Sequence, residues 1–248
     1  MKDKWLEELR DKAARLRIDG SPAPLTISDG QVEGLYRYME LLLEWNERMN
    51  LTAVTEPGEV MVRHFLDSAA GLPILRELPA DARIADVGTG AGFPGMVLSI
   101  LAPEYRFVLM DALQKRLTFL GAVREELALD NCELVHECAE EAGQKAPYRE
   151  QMDAVAARAV AALPVLLEYC LPFVRVGGLF LAYKGPALQE ELPQSAHALQ
   201  VLGGKVEKVA SVTVDGEDFE HYIAIIRKVR STPGTYPRRQ GKIAKSHL

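Results

Sequence analysis

The sequence lacks any long apolar run, and this argues against a helix that spans a membrane. A spanning helix needs about 20 apolar residues in succession. The most apolar stretch, residues 154–174, is interrupted by Arg158, Pro164, Glu168 and Pro172. The N-terminal residues carry charges of both signs and show no apolar signal segment. We therefore expect a cytoplasmic protein that does not enter a membrane.

Cysteine and histidine are also scarce. Cys132, Cys138 and Cys170 are an odd number of thiols without Cys-x-x-Cys spacing, and the 5 histidines are scattered without a common partner. Spacings of this kind predict neither a disulfide framework nor a metal site. We expect buried thiols and no bound metal.

Acidic residues are absent after Glu220. Residues 221–248 carry a charge of +7, whereas residues 1–220 carry −13 and the whole chain −6. A basic tail on an acidic body indicates a local contact with a polyanion, although a disordered, solubilising end would have the same composition.

The remaining composition is that of an ordinary globular protein, with 48% hydrophobic and 26% charged residues in a chain of 248. From residue 83 onward, short apolar runs alternate with helical periodicity, which predicts an α/β fold with a mostly parallel sheet. Residues 205–214 and 222–229 are too close for a crossover helix and predict an antiparallel hairpin. The predicted divisions are an N-terminal helical extension over 1–80, a core domain over 81–230 and the basic tail over 231–248.

The most informative pattern lies in residues 83–95. The apolar run 84–87 predicts a buried strand, and glycines follow at positions 88, 90, 92 and 95 before a helical run begins. Glycine permits positive φ and lets a ligand lie against the main chain. In a parallel sheet such a turn lies at the carboxyl ends of the strands, where ligands bind.

The identity of that ligand depends on the surrounding residues. The turn satisfies Gly-x-Gly-x-x-Gly with Asp111 ending the next strand, a pattern compatible with a nicotinamide enzyme. Asp86 inside the first strand, the closing hairpin and the lack of a second dinucleotide half favour S-adenosylmethionine. Asp111 would then bind the ribose hydroxyls, with Glu140 near the adenine. The position of Asp111 also fits the N-cap of the next helix.

A helical pattern over residues 60–70 contains a second polar group. Arg63 and Asp67 are four residues apart, as are His64 and Ser68, so each pair is predicted to share a helical face. Two interpretations remain open: an exposed ion pair of little energetic value, or a polar cluster that faces the ligand.

These motifs together resemble the glucose-inhibited division protein B family (GidB, also RsmG), bacterial guanine-N7 methyltransferases of 16S ribosomal RNA. The resemblance covers most of the chain. It rests on residues 46–52 (Asn-x-x-x-Asn-Leu-Thr), Arg63-His64, Asp67-Ser68, 86–95, Asp111, Lys115-Arg116, Phe119-Leu120, Arg158-Ala159, Lys184-Gly185 and 234–241.

The resemblance implies a class I S-adenosylmethionine-dependent methyltransferase fold, Rossmann-like, with a mostly parallel seven-stranded sheet that ends in an antiparallel hairpin. It implies a monomer whose partner is 16S rRNA or the 30S subunit. With the glycine turn, it places S-adenosylmethionine against Asp86, Gly88, Gly90, Phe93, Asp111, Ala139, Glu140 and Arg158.

The implied chemistry requires no general base, because guanine N7 has an exposed lone pair and carries no proton. We therefore assign Asn50, Arg63, His64 and Asp67 to shaping the site and reading the guanine. Phosphate contacts are expected from Lys184, Arg238, Arg239, Lys242 and Lys245. The alternatives are a methyltransferase of a small molecule or protein, and a non-enzymatic ribosome assembly factor.

Overall fold

The computed structural model describes residues 2–19, 25–243 and 245–248. Its strands are β1 Leu16–Ile18, β2 Arg83–Val87, β3 Arg106–Asp111, β4 Cys132–His136, β5 Met152–Arg158, β6 Val174–Lys184, β7 Gly204–Val214 and β8 Glu220–Lys228. They form one eight-stranded sheet in the order β1-β7-β8-β6-β5-β2-β3-β4. Strands β2 to β6 pair in parallel, whereas β8 runs antiparallel between β6 and β7.

This topology confirms the predicted α/β sheet with a closing hairpin, but the predicted number of seven strands is wrong. The eighth strand is β1, within the N-terminal extension that the sequence predicts to be helical. Helix α1, Lys2–Ala14, ends before β1, and Leu16 and Ile18 are then buried while Arg17 is exposed. That alternation lets β1 pair antiparallel with the end of β7.

Helices cover both faces of the sheet. Besides α1, they are α2 Asp29–Met49, α3 Pro57–Val60, α4 Asp67–Ala69, α5 Leu72–Leu75, α6 Gly95–Leu101, α7 Gln114–Glu126, α8 Ala139–Ala142, α9 Leu163–Cys170, α10 Leu188–Gln194, α11 Ala196–Leu202 and α12 Gln240–Ile243. Residues 187–202 have the periodicity of one helix, but the structure divides them into α10 and α11 after Pro193, which has no amide hydrogen to donate. Among the described residues, no helix has the length and hydrophobicity needed to cross a bilayer.

Successive residues of β2 pack into different cores. Ile84 joins the cluster under α1, α2, α6 and α7, whereas Ala85 and Val87 join the cluster under α9 and α11. Because both faces are covered, the strand reads as a continuous apolar run rather than an alternating one.

The N-terminal segment shares its core with the sheet. Trp5 of α1 and Leu35 of α2 belong to the same buried cluster as Ile84 and Phe107 of the sheet. The predicted extension is therefore packed into the core of the sheet. The division of the chain at residue 80 stays a prediction. Residues 20–24, Gly-Ser-Pro-Ala-Pro, predict a break between two helices and lie outside the described residues.

The helix predicted over 60–70 is present in three parts. Between α3 and α4 lies a π-helical segment, Met61–Leu66. A π turn inserts an extra residue into the helical repeat and is frequent at functional sites. It rotates the residues that follow it, so the simple four-residue spacing no longer decides which side chains share a face.

The basic tail is folded against the core domain. Arg149 donates to the carbonyls of Thr232 (2.9 Å) and Tyr236 (2.8 Å). Lys228, fully buried, donates to Thr232 Oγ1 at 2.6 Å, and burial lowers its pKa to about 8. The described part of the tail is therefore an ordered element, in contrast to the disordered end that its composition also allowed.

Candidate functional site

A cleft of ≈ 510 Å³ opens at the carboxyl ends of β2, β3 and β5. The sheet extends from β2 through β3 in one direction and through β5 in the other. This reversal point is where ligands bind in open α/β sheets. The predicted cofactor contacts that line the cleft are Gly88, Gly90, Phe93, Asp111, Ala139, Glu140 and Arg158.

The glycine turn forms the floor of the cleft. Gly88, Gly90 and Gly92 have φ values of +74°, +60° and +97°, in the region that favours glycine. The amides of Gly88 and Thr89 both donate to the carbonyl of Met110 at 2.9 Å, which fixes the turn to β3. A Cβ on Gly90 would meet only the Gly88 carbonyl, at 3.9 Å, so the backbone there is open to a ligand.

Asp86 does not line the cleft, and its assignment to cofactor binding is corrected. Its side chain is fully buried, and Oδ2 accepts hydrogen bonds from Thr89 Oγ1 (2.6 Å) and the Gly95 amide (2.8 Å). Burial raises the pKa of this carboxyl to about 6. Asp86 therefore acts from below, by tying the two ends of the glycine turn together.

Asp111 lies at the cleft edge with only 3% of its surface exposed. Oδ2 accepts from the Gly90 amide (2.9 Å) and lies 3.1 Å from Arg116 Nη1, while Oδ1 accepts from the Leu113 amide (2.8 Å). The alternative role of Asp111 as the N-cap of α7 is not observed. The N-cap residue is Leu113, and the bond from its amide to Asp111 lies just before the helix. The ribose role is compatible with this geometry and stays a prediction.

His64 and Arg158 both pack against Phe93 on another wall of the cleft. The His64 ring stacks on Phe93 with centroids 4.5 Å apart and an interplanar angle of 27°. The Arg158 guanidinium carbon lies 4.9 Å from the Phe93 centroid, within range for a cation–π interaction. The three side chains hold one another in a fixed arrangement.

Arg158 is the centre of a buried polar network. Its Nη1 donates to Asp67 Oδ2 (2.8 Å) and to the Arg63 carbonyl (2.9 Å), and its Nη2 donates to His64 Nδ1 (3.2 Å). Nδ1 of His221 lies 3.2 Å from the other Asp67 oxygen. The contact with His221 and the charge of Arg158 lower the pKa of Asp67, although its burial opposes this.

The ion pair considered between Arg63 and Asp67 does not form. Arg63 is half exposed and approaches Glu59 at 3.7 Å, while Asp67 is buried. The π turn between them separates their directions. Of the four residues assigned to shaping the site, His64 lines the cleft, Asp67 acts through Arg158, and Asn50 is an exposed cap of α2 with φ +49°.

The predicted phosphate-contacting residues fall into two groups. Lys184 is 2.7 Å from Glu191, and Arg238 forms a paired contact with the buried Glu168 at 2.6 and 2.8 Å. Both cations are paired with carboxylates of the fold, and their contact with phosphate stays a prediction. The exposed cations are Arg239, Lys242 and Lys245. Gln240, beside them, lines the cleft.

Several cleft residues were missed by sequence reasoning. Thr52 ends the Asn-x-x-x-Asn-Leu-Thr motif of residues 46–52, and the sequence alone assigns no role to its side chain. Leu113 and Val160 are apolar side chains exposed to 45% and 40% at the cleft. Loop positions of this kind carry no periodic signal, so only the tertiary arrangement identifies them.

The lowered pKa of His64 predicts how the stability of the protein depends on pH. Burial, with the nearby Arg158 charge, lowers the pKa of His64 from 6.5 to about 4. Between these values the unfolded chain binds a proton that the folded chain does not, so the free energy of unfolding falls as the pH falls. We expect a loss on the order of 3 kcal/mol by pH 4.

The His64→Gln variant is the control for this measurement. Asp86 has the opposite sign, because its folded pKa is raised from 3.8 to about 6 and protonation there stabilises the folded state. Its contribution is common to both proteins and cancels in their difference. Urea unfolding from pH 7 to pH 4 should show a steeper loss in the wild type, and equal slopes would contradict the neutral, buried His64.

The sheet order, the open glycine turn and the carboxylate at the end of β3 define a class I S-adenosylmethionine-dependent methyltransferase. A solved S-adenosylmethionine-dependent O-methyltransferase from Thermotoga maritima superimposes with a TM-score of 0.50 at 14% identity, covering 76% of this chain and 72% of that one. The open backbone at Gly90 and the carboxylate of Asp111 fit this cofactor.

The chain belongs to the family described as rRNA small subunit methyltransferase G, whose model matches residues 31–219. The ribosomal RNA small subunit methyltransferase G of Alkaliphilus metalliredigens is 49% identical over 222 residues, which cover 90% of this chain and 92% of that protein. The Acetivibrio thermocellus protein of the same name is 43% identical over 244 residues, which cover 98% and 100%.

Proposed function

We propose that the protein transfers a methyl group to N7 of a guanine in the decoding-region loop of 16S rRNA, as free RNA or within the 30S subunit. Relatives named ribosomal RNA small subunit methyltransferase G, at 43% and 49% identity, support the substrate class. The observation that carries the reaction type is the state of His64: burial makes it a weak base, and both ring nitrogens are engaged by Thr52 and Arg158.

A histidine that is a weak base suits guanine N7, which has no proton to lose. S-adenosylmethionine supplies an electrophilic methyl carbon: as the N7 lone pair bonds to it, the carbon–sulfur bond breaks and its electron pair returns to sulfur. The glycine turn and Asp111 would hold the cofactor, while Phe93, His64 and Arg158 form the facing wall. Alignment of the reacting atoms then supplies the catalysis.

The direct test uses S-adenosylmethionine labelled in the methyl group. The protein is incubated with 30S subunits, free 16S RNA or a metabolite extract, and the labelled base is mapped. We expect label at N7 of one guanine in the RNA, and its loss together with cofactor binding in Asp111→Ala. Label that enters only the extract would support a small-molecule or protein methyltransferase, and no transfer would support an assembly factor.

The exposed cations of the tail give a second prediction. Changing Arg239, Lys242 and Lys245 to Ala should weaken RNA binding and reduce its salt dependence, because each lost phosphate contact removes a counterion-release contribution. For three contacts, the negative slope of log K against log salt should become shallower by about 2. S-adenosylmethionine affinity should stay unchanged, since these side chains do not line the cleft.

A matched triple variant removes equal charge elsewhere. Lys4, Arg124 and Lys205 are exposed and lie outside the cleft. Their replacement by Ala should leave the salt slope of RNA binding close to that of the wild type. If both triple variants lowered the slope equally, net charge rather than the tail would account for RNA affinity.

A further inference from the structure

Thr52 is held at the cleft wall by the end of α2. Asn50 caps this helix in the left-handed conformation, and Asn46 Oδ1 accepts hydrogen bonds from the amides of Leu51 (2.6 Å) and Thr52 (2.9 Å). The Asn-x-x-x-Asn-Leu-Thr motif therefore has a structural explanation. Its first asparagine fixes the backbone that presents the Thr52 side chain to the cleft.

The oxygen of Thr52 accepts one hydrogen bond from the Val54 amide at 3.0 Å and lies 2.8 Å from His64 Nε2. The direction of this second contact depends on the tautomer of His64. Two groups contact His64 Nδ1: Arg158 Nη2 at 3.2 Å, which can only donate, and the Arg63 carbonyl at 3.1 Å, which can only accept and already accepts from Arg158 Nη1. The positive charge of the guanidinium disfavours a proton on Nδ1 more than the neutral carbonyl favours one, because hydrogen bonds from a charged group are roughly twice as strong as neutral ones. Nδ1 is therefore the unprotonated nitrogen. The proton is on Nε2, and His64 donates to Thr52.

Asp67 determines the direction of the hydrogen bond between His64 and Thr52, although it contacts neither side chain of that bond. Asp67 orients the Arg158 guanidinium, Arg158 fixes the tautomer of His64, and His64 fills an acceptor position on Thr52. With the Val54 amide on the other position, the oxygen has no acceptor capacity left. The hydroxyl proton is free, because no acceptor for it lies within hydrogen-bond distance in the described part of the chain.

We propose that Thr52 determines base specificity by donating this proton to O6 of the target guanine. The proposal rests on the function proposed above. On the edge that carries N7, guanine presents an acceptor at position 6, whereas adenine presents an amino donor. A hydroxyl restricted to donating pairs with guanine and meets a second donor on adenine. Such an unpaired polar contact is an effective basis for rejection.

The test is a double-change cycle that combines a substitution at Thr52 with removal of O6 from the target base. The substrate RNA carries either guanine or 2-aminopurine at the target; 2-aminopurine keeps N7 and the 2-amino group but lacks O6. The wild type should lose roughly 10- to 100-fold in kcat/KM on 2-aminopurine. Thr52→Val should lose a comparable factor on guanine and little more on 2-aminopurine, because the contact is already absent.

Two controls separate this contact from general damage. Thr52→Ser keeps the hydroxyl and should keep the discrimination, and Thr55→Val makes the same change at an exposed residue outside the cleft and should behave as wild type. Thr52→Ala, which leaves room for water to solvate the Val54 amide, replaces Thr52→Val if that variant does not fold.

Equal losses on 2-aminopurine in the wild type and in Thr52→Val would overturn the proposal, since independent effects multiply. That outcome is distinguishable from failure of the proposed function. In the first case the wild type still methylates guanine N7 and only the coupling is missing. In the second case the wild type places no methyl group on N7 of any guanine, and both proposals fail.

Discussion

Arg158→Met is expected to cost about 3–5 kcal/mol of folding free energy, because it leaves the buried carboxylate of Asp67 without its main partner. The side chain of Asp67 is only 1% exposed, so the solvent compensates little for the lost guanidinium. We also expect methyl transfer to fall by at least about 100-fold, since His64 loses the contact that fixes its tautomer and position.

The double variant Asp67→Asn/Arg158→Met separates the two effects. Removing the carboxylate charge along with the guanidinium should restore most of the lost stability, because a neutral pair no longer leaves a buried charge unpaired. Methyl transfer should stay low. Urea unfolding and single-turnover transfer measure the two quantities, and recovery of activity with stability would reduce Arg158 to a structural role.

Much of the sheet could be predicted because its strands are buried on both faces. The run 84–87 carries apolar residues on both faces, with Asp86 as the exception, and Arg83–Val87 is the strand observed. The glycine turn was equally readable, since three of its residues need positive φ. Features that depend on the local backbone are therefore visible in the sequence.

Features that depend on tertiary partners were less visible. Leu16 continues the helical spacing of α1, and only the free edge of β7 makes Leu16–Ile18 a strand. No sequence pattern marks the π turn at Met61–Leu66. This turn nevertheless makes the Asp67 side chain face Arg158 rather than Arg63.

The assignment of Asp86 shows an error that strand geometry could have prevented. Side chains alternate along a strand, so Asp86 lies on the face of Ile84, which packs under α6, and not at the open end of the strand. Arg238 is different. Nothing in a basic tail indicates that one of its cations pairs with a buried glutamate seventy positions earlier, at Glu168.

Gly92→Ala and Gly90→Ala, two residues apart in the same turn, are expected to fail in different ways. At Gly92, φ is +97° and a Cβ would overlap Tyr38 Oη and lie 2.8 Å from Met96 Cβ. Tyr38 is fully buried and has no room to move. Backbone strain and overpacking together should cost about 3 kcal/mol of stability.

At Gly90 the added methyl group meets open space at the cleft floor, so only the strain of φ +60° remains, about 1 kcal/mol. The methyl group would instead occupy volume that the cofactor needs. We expect S-adenosylmethionine affinity to fall by about 10-fold or more, the equivalent of 1.4 kcal/mol. Urea unfolding and titration with S-adenosylmethionine, made on both variants, give the comparison. Wild-type affinity in Gly90→Ala would show that the turn is not the cofactor floor, and equal stability of the two variants would show that Tyr38 yields to the methyl group.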